Sequence, residues 1–105
     1  MITEAHLQAV RQVLSAEPQR DPFRRFSILA MQVADVGRCI EYMKAYPKDE
    51  KEPARGYRAE LKAGLGDLLA QTITLCVLYE IDPNEVLNLG IVRLSEFKKK
   101  TGFRE

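Results

Sequence analysis

Residues 59–82 read AELKAGLGDLLAQTITLCVLYEID, with apolar side chains recurring every three or four positions, which is the period of a helix and not of a strand. Leu61, Leu65, Leu68, Thr72, Leu75 and Tyr79 form one seam; Glu60, Gly64, Asp67, Gln71 and Thr74 form a stripe beside it. Asp67 lies in the middle of the run, with no neighbouring carboxylate and no basic residue within a turn downstream. An unpaired carboxylate inside a helical core costs several kcal/mol. The charge therefore asks for a compensating partner elsewhere in the chain.

Working outward, prolines cut the chain into four segments, each with helical periodicity. A first helix is expected from Thr3, as N-cap, to about Ala16, with Leu7, Val10 and Leu14 on one face. Asp21 and Pro22 read as N-cap and first residue of a second helix that continues to Tyr46. Its seam is Phe26, Leu29, Val33, Val36, Ile40 and Met43, flanked by Ile28, Gln32, Asp35, Cys39 and Tyr42. The charged, proline-bracketed segment PKDEKEPARG is expected to be a loop, so that the third helix starts near residues 55–57 and ends at about Glu80. Asp82, Pro83 and Glu85 then make an N-cap, N1 and capping-box pattern for a fourth helix ending near Lys100, where lysines suit the negative end of the helix dipole. The fold class is all-α: a single domain spanning residues 1–105, a four-helix bundle whose two long central helices pack antiparallel. In such a hairpin Asp35 and Asp67 lie at similar depth.

Gly64 and Gly66 cost the third helix ~1 kcal/mol each in propensity, and close approach of a second helix is the expected reason for them. No strand precedes them, so they are not a phosphate loop. A chain of 105 residues buries only about two thirds of its unfolded surface, and two long helices remain partly uncovered. A homodimer or a dimer of dimers is expected to complete the bundle.

Composition narrows the partners. With 16 basic and 15 acidic residues the net charge is +1, which gives no electrostatic reason to expect nucleic acid or an anionic membrane. The N-terminus has no secretory pattern and no apolar run is expected to reach transmembrane length, so a cytoplasmic location follows as an expectation. Cys39 and Cys76 lie in apolar helical patterns and read as buried, reduced thiols, and His6 reads as a surface or interface residue.

Two carboxylates facing each other in a bundle repel unless a cation lies between them or one is protonated. Oxygen ligands without histidine favour Mg²⁺ or Mn²⁺. Asp35 and Asp67 are the candidate ligands, with Gln32 one turn before Asp35 adding an amide oxygen and Glu60 adding a carboxylate. The alternative is that both aspartates are polar positions on a subunit seam or on partly solvated faces.

The order of these pieces over residues 23–100 resembles the all-α nucleoside triphosphate pyrophosphohydrolases of the MazG-like type. FSILAMQVADVGRCIEY is similar to the helix that bears E-E-x-x-E in that family, GLGDLLAQTITLCVLYEIDPNEVL to the helix bearing E-x-x-D with the following ID helix start, and VRLSEFKKK to the basic last helix. Position by position, the three acidic residues of the first motif fall on Met31, Gln32 and Asp35, and the two of the second on Gly64 and Asp67. A lysine usual near the start of the basic helix falls on Gly90.

The resemblance implies a hydrolase that splits a nucleoside triphosphate into monophosphate and pyrophosphate. Asp35 and Asp67 would hold Mg²⁺, Gln32 and Glu60 would support it, and Arg93, Lys98, Lys99 and Lys100 would meet phosphates. The departures at Met31 and Gly64 point the other way. They remove charge where a metal cluster needs it, and imply a non-catalytic scaffold acting in assembly or in binding a nucleotide or partner.

Overall fold

The computed structural model describes residues 1–45 and 51–101, with side chains described for 1–45 and 56–100. Four α-helices follow one another: α1 (Glu4–Val13), α2 (Pro22–Ala45), α3 (Lys51–Leu78) and α4 (Pro83–Thr101), with a 3₁₀ turn at Glu17–Arg20 between the first two. Among the described residues there is no strand. The all-α class read from periodicity is what the chain adopts.

Caps set the helix starts. Thr3 Oγ1 accepts the His6 backbone N–H at 3.3 Å, and His6 Nδ1 accepts the Thr3 N–H at 2.9 Å, so a histidine completes the capping box. Asp21 Oδ1 accepts from Phe23 N at 3.3 Å and Asp82 Oδ1 from Asn84 N at 2.9 Å, each just ahead of a proline at the first helical position. Asn84 also reaches the chain start, donating from Nδ2 to Ile2 O at 2.9 Å and accepting from Ile2 N at 3.1 Å.

Two ends differ from the sequence reading. α1 stops at Val13 and not at Ala16, because Ser15 N and Oγ both turn back onto Gln12 O and Arg20 Nη1 takes up the carbonyls of Leu14 and Ser15. α3 begins at Lys51, inside the segment read as a loop. Pro53 is tolerated in its first turn, where backbone N–H groups have no helical partner. Residues 46–50, the rest of that segment and the expected end of α2, lie outside the described residues.

α3 ends in a Schellman motif: Ile81 N donates to Cys76 O at 2.8 Å and Glu80 N to Val77 O at 3.2 Å, with Glu80 in the left-handed region at φ 57°. A glutamate there carries a steric cost that glycine does not. Replacing Glu80 by glycine should therefore stabilise the chain by about 0.5–1 kcal/mol, read as a raised thermal midpoint at fixed protein concentration. A midpoint that falls would show that the Glu80 side chain contributes more than its backbone strain costs.

α2 and α3 form the main packing layer, with α1 against α3 and the 3₁₀ turn against α2. Three juxtapositions fix an antiparallel register: Val36 stands at Gly64, Cys39 at Glu60, and the Tyr42 and Tyr57 rings lie 5.1 Å apart. The packed face of α3 runs through Tyr57, Leu61, Gly64, Leu68, Gln71, Leu75 and Leu78, all half-buried. It lies between the expected seam and the expected stripe. On α2 the expected seam divides: Leu29, Val36 and Met43 turn inward, whereas Phe26, Val33 and Ile40 stay exposed. Gly64 owes its place to close approach, since a Cβ on it would stand 2.9 Å from Val36 Cγ2. Gly66 does not; nothing lies within 4 Å of its Cβ position.

By length and composition Gly56–Leu78 is apolar enough to cross a membrane, which corrects the expectation that no such run exists. Asp67 stands at its midpoint. A carboxylate at the centre of a bilayer costs about 2.5–3.5 kcal/mol, and in this fold the same segment packs on α2.

Candidate functional site

The register carries the candidate oxygens into a defined pattern. Asp35 stands level with Gly64, and Gln32 level with Asp67, one helical turn or ~5 Å further along the hairpin. The two aspartates thus occupy a diagonal, and the similar depth expected of them is offset by that turn. Gln32 and Gly64 occupy the other diagonal. All four positions, with Cys39 and Glu60, belong to one flank of the α2–α3 layer, because residues three, four and seven apart share a helix face.

Each side chain on this flank has its own environment. Asp35 is exposed and pairs with Arg38 one turn on; both side chains are 58% exposed, so the pair adds little stability. Asp67 is also exposed. It answers the question its position raises: solvent compensates the charge, and no buried partner is required. Gln32 is half-buried, and its Oε1 is buried without a hydrogen-bond partner among the described residues. Glu60 Oε2 accepts from Cys39 Sγ at 3.7 Å across the helix pair. Desolvation, then the negative charge of Glu60, raises the Cys39 thiol above its usual range, with Asp35 adding to the effect and Arg38 opposing it. The thiol stays protonated and donates. Cys76 is buried and also raised, chiefly by desolvation, which makes it an inert core thiol.

The flank brings Asp35 and Glu60 to either side of Cys39 and sets Gln32 opposite Asp67. It does not assemble them further: among the described residues no group of three or more His, Cys, Asp or Glu is placed to hold one metal ion. One orphaned amide oxygen suits a hard cation, but the carboxylates beside it are spread along the hairpin, and Asp35 is already occupied by a guanidinium. The residues present therefore fit a multi-carboxylate magnesium cluster poorly. Arg93, Lys98, Lys99 and Lys100 lie on the exposed length of α4.

Sequence reasoning missed Arg25, which is 5% exposed; among the described residues its guanidinium gives one hydrogen bond, Nη2 to Gln19 Oε1 at 2.7 Å, and its Nε has no partner. The signal was present, because Arg25 continues the buried row of Leu29, Gln32 and Val36 by helical steps. Comparison of the chain with family models, with curated proteins and with solved structures finds no match.

Proposed function

We propose that this chain is a MazG-like helical scaffold that acts in assembly and in binding a nucleotide or partner, without a resident metal cluster. The observation that carries this reading is the helix crossing. Gly64 stands where the resembling family has a glutamate, and any side chain there would meet the buried, β-branched Val36 at 2.9 Å. On this reading close packing stands where the resembling family has a metal ligand. Met31, at another such position, is an exposed apolar residue. On this reading the chain works in the cytoplasm as a homodimer or dimer of dimers, with no membrane or nucleic-acid partner.

A second reading is Mg²⁺- or Mn²⁺-dependent hydrolysis of a nucleoside triphosphate to monophosphate and pyrophosphate. It is favoured by the buried, unpartnered Gln32 Oε1 level with Asp67. In it Asp35, Asp67, Gln32 and Glu60 would hold the ion, which supplies charge neutralisation at the phosphates. Arg93 and the lysines at 98–100 would approach the triphosphate.

A panel of nucleoside triphosphates with Mg²⁺ or Mn²⁺ separates the two. The scaffold reading expects pyrophosphate release no greater than that of Asp67→Ala. Release that falls tenfold or more in Asp67→Ala would establish the hydrolase and overturn the scaffold.

A further inference from the structure

α4 is buried only at its start: Pro83 is enclosed and Asn84 and Val86 are half-buried, whereas residues 87–100 are exposed throughout. A helix in water owes most of its stability to burial of an apolar face, and stretches shorter than about 12–15 residues are marginal without it. Gly90, midway along, costs the exposed stretch about 1 kcal/mol more. Nothing lies within 4 Å of a Cβ built on Gly90, so no close approach inside the chain explains it.

The exposed stretch nevertheless has one built side. From the enclosed Pro83, steps of four and three lead to Leu87, Gly90, Leu94 and Phe97, which is the period of a seam that receives another helix. Ile91 stands beside that row, and at 100° per residue Leu87, Gly90, Ile91, Leu94 and Phe97 share an arc of about 120°. Leu87, Ile91, Leu94 and Phe97 are 47%, 55%, 62% and 53% exposed. Large apolar side chains in a continuous exposed row mark an interaction surface, whereas Leu89 and Val92 are scattered singly on the far side. Charge follows the same division. Arg93 and Lys100 border one edge of the arc, while Glu85 and Glu96, the acidic residues of the helix, stand opposite it.

Resting on the partner binding in the proposed function, we infer that the Leu87–Gly90–Leu94 row of α4 receives an amphipathic helix of a partner protein whose own apolar row is bordered by carboxylates. Gly90 admits that helix closely at the middle of the row, and burial of the apolar side chains supplies the affinity. Arg93 and Lys100 select the partner, because opposite charges along a rim steer encounter and like charges penalise it. The same rim disfavours a second copy of α4. In an antiparallel pairing this edge would face itself, cation against cation, and in a parallel one the lysine-bearing ends at 98–100 would meet.

Fluorescence anisotropy of a labelled amphipathic peptide of about 18 residues, titrated with the full chain, tests this. Its leucines follow the same steps of three and four, bordered by glutamates in one version and by lysines in the other. The glutamate version should bind at least ~10-fold more tightly at low salt, and the difference should shrink as salt rises. Leu94→Glu should weaken that binding at least ~10-fold, and Arg93→Glu with Lys100→Glu should turn the preference toward the lysine version. Leu89→Glu, on the far side of the same helix, should leave binding unchanged. All four side chains are exposed in the chain, so circular dichroism should keep its helical signal. A glutamate version bound no more tightly than the lysine version, or bound equally by Leu94→Glu and the unaltered chain, would overturn the docking seam. Anionic phospholipid vesicles that bind through Leu94 while the peptide does not would give the face to a lipid surface, and a light-scattering multimer that comes apart in Leu94→Glu would give it to a second copy; either overturns the inference. The scaffold reading itself stands or falls by pyrophosphate release from nucleoside triphosphates, which these binding results leave untouched.

Discussion

Gly64→Leu should lower the stability of the chain by about 2–3 kcal/mol, read as a shift of the urea midpoint at unchanged slope and fixed protein concentration. The cause is local. A Cβ at residue 64 would stand 2.9 Å from Val36 Cγ2, and Val36 is 8% exposed and therefore enclosed. Valine in a helix has one strongly preferred χ1 rotamer, so the methyl cannot swing aside without further cost. Gly64→Ala meets the same contact but gains ~1 kcal/mol of helix propensity. A net loss near 1 kcal/mol is expected, and Val36→Ala should relieve it, giving a coupling of at least ~1 kcal/mol in a double-mutant cycle. If Gly64→Ala were as stable as the wild type with no coupling to Val36, the crossing would be looser than its geometry indicates, and the proposed scaffold reading would lose its support.

That crossing also shows where sequence reasoning stopped. The starts of α1, α2 and α4 were legible because a cap is a local device: Thr3, Asp21 and Asp82 act within three residues of themselves. The rotation of the central helices was not. Both carry apolar residues around more than half their circumference, so periodicity could not say which side meets the sibling helix and which stays open. The expected seam of α2 is consequently shared, with Val36 inside and Val33 outside. Gly64 and Gln71 looked like members of a polar stripe, yet they lie in the packed face of α3.

The candidate site suffered from the same limit. Asp35 and Asp67 were found as residues, but their partners depend on register and rotation: Arg38 for one and solvent for the other. The Asn84 clamp on Ile2 joins residues 82 positions apart, and no local pattern announces it. The early end of α1 depends on Arg20 reaching back to two carbonyls, which again belongs to tertiary structure.

Gln19→Glu should stabilise the chain by about 1–2 kcal/mol near neutral pH, and Gln19→Ala should cost about 2–3 kcal/mol. Arg25 is the reason. Its guanidinium is buried at 5% exposure and meets the Gln19 amide oxygen at 2.7 Å, and neither ion pair among the described residues, Arg11–Glu4 or Arg38–Asp35, involves it. A buried cation held by one neutral acceptor has been desolvated without the attraction that offsets the loss. A carboxylate in place of the amide supplies that attraction at the same distance. The sign with pH follows from the guanidinium, which would hold the new carboxyl's folded pKa below its unfolded value of about 4.3. The added stability is therefore present above that unfolded value and is lost as pH falls through the folded one. Gln19→Ala leaves the charge with no acceptor and has no such acid-specific loss. Chemical denaturation of both variants at neutral and acid pH checks the pair. A Gln19→Glu chain no more stable than wild type at neutral pH would mean that one neutral acceptor already suffices for the buried guanidinium.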